Sequence, residues 1–438
     1  MTRRAQTPKM RPLPINRTTL VAALDIGTSK IACMVARLKP CVPGDALIGR
    51  THAIDVVGLS YIQSRGIKAG AVVDSAQAEL AVRQALAIAE RSAGVRIEAV
   101  LLSVSGGRLR GQLIDASADI HGGTVAPGDV GRVMSVGARH ATGEGRTVLH
   151  ALPVSYALDG VKGVRDPMGM VARQFGIEAN VVTADATVVG NLMLVVERCH
   201  LSVEAIAASP YAASLAVLTA GESDLSSAVV DLGAGTSSIA TYSSGQFVHA
   251  AQFAVGGQHV TTDLARGIGT SIADAERIKT LYGTVLPGGL DARELMTIPS
   301  EGEQEHEAPR IVSRGAIANI IRQRVEEIFE MVQDRLADSP LAAEPKAQVV
   351  LTGGGSQLTG ICELAGRILN RPVRVGRPLG LGRLPNEAKS PSFAVAAGLL
   401  VYPQHAHREH VEPRRPAYLR TGTDGYFGKV SQWLRDGF

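Results

Sequence analysis

Two short stretches of this 438-residue chain set an aspartate just ahead of a glycine-and-hydroxyl turn. They read Asp25-Ile-Gly27-Thr28-Ser29-Lys30 and Asp231-Leu-Gly233-Ala-Gly235-Thr236, each between two β-rich runs, and each is expected to be a hairpin. Glycine in such a turn takes a φ that residues with a Cβ avoid and uncovers backbone N–H groups for an anion. Thr28 and Ser29 add hydroxyl donors, and Lys30 adds a positive charge. An aspartate at a strand end is placed to hold a water on Mg²⁺ rather than to touch phosphate, so Asp25 and Asp231 are the candidate metal residues. Two such turns face to face would clamp a polyphosphate and its metal between two domains. Alone, either turn reads at least as well as a plain hairpin.

Two further features follow in sequence. Gly353-Gly354-Gly355 comes after an apolar run and before a helix start, where only glycine lets a flat ligand such as a nucleoside lie against the backbone. Ser271 and Asp274 form a variant capping box, and Glu276 and Lys279 share the exposed face of the helix it opens. Those two side chains either grip ribose and base edges or pair with each other as a surface ion pair.

The elements that must position these groups can be read from pattern. A helix is expected over about 76–93, between Asp74 and Gly94, with others near 128–141, 185–200 and 314–338. The last repeats Ile317, Ile321, Ile328, Val332 and Leu336 on one face. Residues 97–183 read as strands around one helix, a compact α+β unit set inside a larger domain. The stretch LDIGTSKIA from Leu24 is echoed by VDLGAGTSSIA from Val230, which points to a duplicated α/β architecture. The expected organisation is a basic disordered tail (1–20), a first lobe in two parts (21–96 and 185–225) around the inserted unit (97–184), and a second lobe in two parts (226–255 and 346–401) around an outer helical unit (256–345). A linker (402–424) and an amphipathic helix (425–438) complete it.

Composition narrows the class. With 45% hydrophobic and 20% charged residues the chain is an ordinary globular protein. It has no run of about 18 apolar residues to cross a membrane and no secretory h-region. The four cysteines (Cys33, Cys41, Cys199, Cys362) lack metal or disulfide spacing and fit a reducing cytoplasm. The net charge is +4, but five basic side chains fall in residues 1–20 without an acid, so the body is close to neutral and offers no broad basic surface for nucleic acid. The tail reads as a solubilising arm or a contact for acidic lipid. An acidic stretch (Glu301, Glu303, Glu305, Glu307) reads as a solvated loop. His405, His407 and His410 fall in the expected linker, which supplies no fixed metal geometry.

Aromatic residues are scarce, with seven Phe, eight Tyr and one Trp, yet Tyr426, Phe427, Trp433 and Phe438 sit in the last 14 positions. At about 100° per residue, these four with Val430 and Leu434 share an arc of roughly 140°. Fourteen helical residues span about 21 Å, short of about 30 Å of hydrocarbon, so a helix lying in the membrane interface is expected. Docking on the body or a partner is the alternative.

Taken together and in order, the two hairpins, the capped helix and the triglycine turn resemble the first phosphate, second phosphate and adenosine motifs of the actin–hexokinase–heat-shock chaperone ATPase superfamily. The inserted unit between Asp25 and Asp231 narrows the resemblance to the bacterial cell division protein FtsA family. The stretches AALDIGTSKI (22–31), IADAERIK (272–279), VVLTGGGSQLTGI (349–361) and SPSFAVAAGLL (390–400) look like that family. The resemblance spans about 21–400 and the extreme C-terminus. It implies ATP and Mg²⁺ as cofactors, actin-like self-assembly, and attachment to the cytoplasmic face of the inner membrane at the division septum. It also implies docking of the C-terminal peptide of the tubulin-like FtsZ on the 256–340 region, and recruitment of other division proteins by the inserted unit. Ser209 precedes Pro210 where chaperones and MreB-type filaments carry glutamate, so slow or negligible hydrolysis is expected. The rival readings are a pilus-assembly-type adaptor, which shares the insert, and a small-molecule kinase, which needs a carboxylate base.

Overall fold

The structure is a computed structural model that describes residues 7–10, 12–14, 16–41, 47, 49–286, 293–298 and 310–409. The acidic stretch around Glu301–Glu307, the third histidine of the string (His410), and Tyr426, Phe427, Val430, Trp433, Leu434 and Phe438 lie outside these residues.

The first lobe opens with β1 (Thr19–Ile26), β2 (Lys30–Pro40) and β3 (His52–Gln63), an antiparallel meander. Helix α1 (Ser75–Ala93) follows. Asp74 caps it by accepting from the N–H groups of Ala76 and Gln77, and Gly94 ends it at φ 66°. Next comes β4 (Ala99–Val104), parallel to β1. The sequence reading places this stretch in the inserted unit, and the structure corrects it. β4 lies between β1 and the later strand β9 (Ser202–Ala208), with Val100–Val104 buried. A nearly continuous apolar run is the signature of a central parallel strand covered on both faces, not of a surface unit. The described residues at the end of this lobe's sheet add Leu381–Gly382 beside β3.

The insert proper consists of β5 (Arg110–Asp119), α2 (Pro127–Ala141), β6 (Arg146–Leu158), β7 (Val161–Val164) and β8 (Gln174–Asp185). Its own small core gathers Val130, Val133 and Met134 of α2 against Phe175 and Ile177 of β8. Helices α3 (Ala186–Arg198) and α4 (Ser209–Val217) flank β9 and return the chain to the first lobe.

The second lobe repeats the plan. β10 (Ser227–Leu232), β11 (Ser237–Ser243) and β12 (Gln246–Phe253) form a second antiparallel meander, and β15 (Gln348–Thr352) and β16 (Val373–Val375) extend it in parallel from β10. Its outer unit holds α5 (Gly257–Ile268), α6 (Ile272–Tyr282), the hairpin β13 (Leu295–Ile298) and β14 (Arg310–Ser313), and α7 (Arg314–Ala337). All five residues of the expected apolar face of α7 are buried. The hairpin on either side of the acidic stretch is not predicted by pattern, since four-residue strands carry little alternation. Helix α8 (Ile361–Leu369) packs on α7, and α9 (Ala394–Val401) packs on α4. The four cysteines are free.

Two features depart from independent, linearly arranged units. The insert's sheet joins that of the second lobe, giving one nine-stranded order β16-β15-β10-β11-β12-β5-β8-β6-β7. Ala251 of β12 pairs with Arg110 of β5, and the missing side chain at Gly111 permits the approach, since a Cβ there would sit 2.5 Å from Ala250 N. The chain ends are also docked over their described parts. Thr7 and Met10 are buried and Leu13 packs on the first-lobe core, which corrects the free arm expected for 1–20. The first residues of the stretch expected as a linker from 402 are instead folded, with Tyr402–Gln404 and Ala406–Arg408 forming 3₁₀ turns on the body. Gln404 is buried there because its Oε1 accepts from the N–H groups of Thr51 (2.8 Å) and His52 (2.9 Å).

Candidate functional site

Both Asp-Gly turns fold alike. Gly27 N–H donates to Lys30 C=O and Gly233 N–H to Thr236 C=O, each at 3.0 Å. Neither glycine is demanded by a left-handed φ, contrary to the expectation from sequence. Close approach demands them instead. A Cβ on Gly27 would lie 2.9 Å from Lys30 O, one on Gly233 2.8 Å from Thr236 O, and one on Gly235 2.6 Å from Thr28 Oγ1. The last distance means that the two turns, 206 residues apart in sequence, touch tip to tip. Ser29 is exposed at the first tip and Thr236 is buried in the second.

The triglycine turn closes on the same place. Gly353 has φ +82°, and a Cβ there would collide with Asp231 Oδ1, while one on Gly355 would lie 3.0 Å from Leu232 Cβ. Gly354 between them is exposed. The capped helix is tied in as well. Ser271 Oγ accepts from Asp274 N–H (3.1 Å), and Lys279 Nζ donates to Gly257 C=O (3.1 Å) at the start of α5. Gly256 approaches the Gly233 carbonyl so closely that a Cβ would clash. Lys279 also pairs with Glu276 (2.7 Å), and the Thr261 hydroxyl bonds both. The structure thus brings Asp25, Gly27, Thr28, Ser29, Lys30, Asp231, Gly233, Gly235, Thr236, Glu276, Lys279 and Gly353–Gly355 into one contiguous cluster between the lobes.

Its electrostatics suit a bound cation. Asp25 lies buried at the end of β1, and burial raises its pKa despite the hydrogen bond from Ser103 (2.6 Å) and the Lys30 charge. Burial and then the neighbouring Asp25 push Asp231 up to about 7, against the pull of Lys30. Burial likewise brings Lys30 down to about 8, despite the two aspartates. Two carboxylates therefore share one ammonium in a poorly solvated place, a donor set that fits a divalent cation held through water.

Four contributors are not legible as motif residues. Ser103 bonds Asp25, Ser392 accepts from Lys30 Nζ (2.9 Å), the Phe393 ring lies 3.5 Å under that ammonium, and Thr261 links Glu276 to Lys279. Ser103 does carry a faint signal, as the one polar residue in the apolar run Ala99–Val104. Ser209 is the first residue of α4, buried, and its hydroxyl has no hydrogen-bond partner among the described residues. His405 is half-buried, and its pKa is lowered to about 3 by desolvation and then by Arg408 and Arg50. No cluster of three His, Cys, Asp or Glu side chains able to hold a metal occurs among the described residues.

Two mirrored β-meanders, each extended by parallel strands and meeting at paired Asp-Gly turns, define the actin-like ATPase fold. The same fold is seen in solved structures at low identity. A PilM–PilN type IV pilus biogenesis complex matches with a TM-score of 0.60 and 17% identity, covering 88% of this chain and 98% of that one. ADP-bound MreB5 of Spiroplasma citri matches with a TM-score of 0.51 and 15% identity, covering 89% and 97%.

Sequence comparison then identifies the family. The family model "Cell division protein FtsA" matches residues 228–398, and "SHS2 domain inserted in FTSA" matches 106–183. The chain is 41% identical to cell division protein FtsA of Rhizobium meliloti (strain 1021), covering 98% of both chains. It is 30% identical to that of Escherichia coli (strain K12), covering 96% of this chain and 98% of the relative. The chain belongs to the FtsA family, and its role is in cell division.

Proposed function

We propose that this chain binds ATP with Mg²⁺ between its lobes, assembles into actin-like filaments on the cytoplasmic face of the inner membrane, and anchors the FtsZ ring at the septum. The observation that carries the nucleotide part is the tip-to-tip contact of the two Asp-Gly turns, with the triglycine turn against Asp231. In this reading Gly27, Thr28, Ser29 and Lys30 hold phosphate from one side, and Gly233, Gly235 and Thr236 hold it from the other. Gly353–Gly355 bear the nucleoside, with Glu276 and Lys279 at its ribose and base. Asp25 and Asp231 hold water on Mg²⁺, which when bound offsets the phosphate charge. Hydrolysis is slow or negligible, because Ser209 is a weak base where a carboxylate would orient the attacking water.

The C-terminal six (Tyr426, Phe427, Val430, Trp433, Leu434, Phe438) insert as a short interfacial helix, whose single attachment is modest and reversible. Assembly places many such helices on one surface, so avidity holds the filament down. The FtsZ C-terminal peptide docks on the outer unit (256–345), and the insert recruits other division proteins. Liposome flotation of the full chain against a 1–424 truncation, with and without ATP–Mg²⁺, tests this reading. Flotation of the full chain alone, stronger with ATP, is expected. Both forms remaining in the soluble fraction under every condition overturns the membrane assignment.

A further inference from the structure

Away from the cleft, the described chain ends in a charge cluster that nucleotide chemistry does not use. The Glu409 side chain is wholly buried. Its Oε1 accepts from His150 Nδ1 (2.8 Å) and the Tyr402 hydroxyl (3.0 Å), and its Oε2 lies 2.6 Å from Lys9 Nζ. Burial alone would raise this carboxyl, but the Lys9 charge, then His150 and the hydrogen bonds, bring it down to about 2. The segment carrying Lys9 is held from both sides: the Thr7 hydroxyl donates to Val148 C=O of β6 (2.7 Å) and Met10 is buried. One carboxylate therefore ties together the N-terminal segment, the insert and the end of the body.

The cluster reaches further through the imidazole. His150 Nε2 accepts the Ala208 N–H at 2.8 Å, which leaves Nδ1 as the protonated nitrogen facing Glu409. Ala208 is the last residue of β9, directly before Ser209 and α4. Its neighbour Ala207 pairs with Ser103, and Ser103 bonds Asp25. From Lys9 and Glu409 to the cleft carboxylate, the path crosses one ion pair, one imidazole and one sheet register.

We propose that Lys9, Glu409 and His150 form a latch that couples the seating of the Thr7–Met10 segment and of Tyr402–Glu409 to the shape of the nucleotide cleft, with His150 a positioning residue for the β9–α4 corner. The inference rests on the cleft being the nucleotide site. The latch is all-or-none, because withdrawing one partner strands a buried charge. Linkage makes the coupling reciprocal: a nucleotide that favours the latched corner slows release of the two segments, and a closed latch tightens nucleotide binding by the same factor.

The test uses the full chain, E409Q and K9M, with circular dichroism melting as the folding control. Three readouts are followed: ATP–Mg²⁺ affinity, trypsin cleavage after Lys9, and hydrogen exchange of the Ala208 amide, with the Ser103 amide as internal reference. In E409Q, cleavage and Ala208 exchange should rise and ATP affinity fall, each by about fivefold or more. K9M should reproduce the exchange and affinity changes, and ATP–Mg²⁺ should slow wild-type cleavage after Lys9. Unchanged Ala208 exchange in both variants overturns the latch. Faster exchange with unmoved ATP affinity, and cleavage indifferent to ATP, reduces the cluster to a structural tie and also overturns it. If the wild-type chain binds no ATP, the nucleotide reading of the cleft fails separately, and Ala208 exchange alone decides whether the two segments control the corner.

Discussion

Asp25 and Asp231 meet across the cleft with Lys30 as their shared counter-charge, and this arrangement has a consequence for stability. The folded state raises the Asp231 pKa from 3.8 to about 7, chiefly by burial and then by Asp25. A raised carboxyl means the fold favours the protonated form. The stability this confers is complete below about pH 3.8 and is lost as pH rises through about 7. Melting temperature measured without divalent cation should therefore fall between about pH 4 and 8, and Mg²⁺–ATP should flatten that slope. Asp231→Asn should remove most of the slope and raise the cation-free melting temperature at pH 8, while weakening ATP–Mg²⁺ binding at least tenfold, a loss of about 1.4 kcal/mol. A melting temperature insensitive to pH in the wild type would refute the shared-charge account.

At the scale of elements, α9 brings the chain back from the second lobe to pack on α4 in the core of the first. Both helices are apolar nearly all round and almost wholly buried. The crossing is close because residue 398 is glycine: a Cβ there would collide with the Ala212 carbonyl. Backbone cannot give way as a flexible side chain can, so Gly398→Val should destabilise the protein by about 3 kcal/mol or more. Urea unfolding reads this as a lower midpoint at unchanged slope. A milder change is expected at the other end of the site, where Ser271 caps α6. Ser271→Ala should cost about 1 kcal/mol and fray the helix that presents Glu276 and Lys279. Amide exchange in the first turn of α6 would reveal it.

At the scale of the molecule, the insert is welded to the second lobe through the continuous sheet, and the N-terminal segment is strapped across insert and first lobe. The strap's role predicts an asymmetry between two truncations. Removing residues 1–6 leaves Lys9, Met10 and their contacts in place and should barely move the melting temperature. Removing residues 1–10 deletes the ion partner of a buried carboxylate, and breaking such a pair costs about 3–5 kcal/mol. Thermal melts of the two truncations compared with the full chain decide the matter, and equal stability of both would show that the strap is passive.

The parts of this structure with a local cause are legible residue by residue in the chain. Asp74 and Gly94 bound α1, the period of Ile317 to Leu336 fixes the buried face of α7, and the echo from Leu24 to Val230 shows that the two meanders repeat. The order of the glycine turns along the chain also marks out residues that the fold brings together, from Gly27 and Gly235 to Gly353. The remainder depends on groups distant in the chain, which meet only on folding. Gly27, Gly233 and Gly235 are required by neighbours' atoms and not by their own φ, and no local pattern reports a neighbour. The apolar run Ala99–Val104 looks alike in an insert or in a lobe until its two flanking strands are known. Lys9 and Glu409 fall in stretches expected to be a disordered tail and a linker, because their burial depends on a partner 400 residues away. Charge burial is a property of the pair, and it becomes visible only when folding brings the pair together.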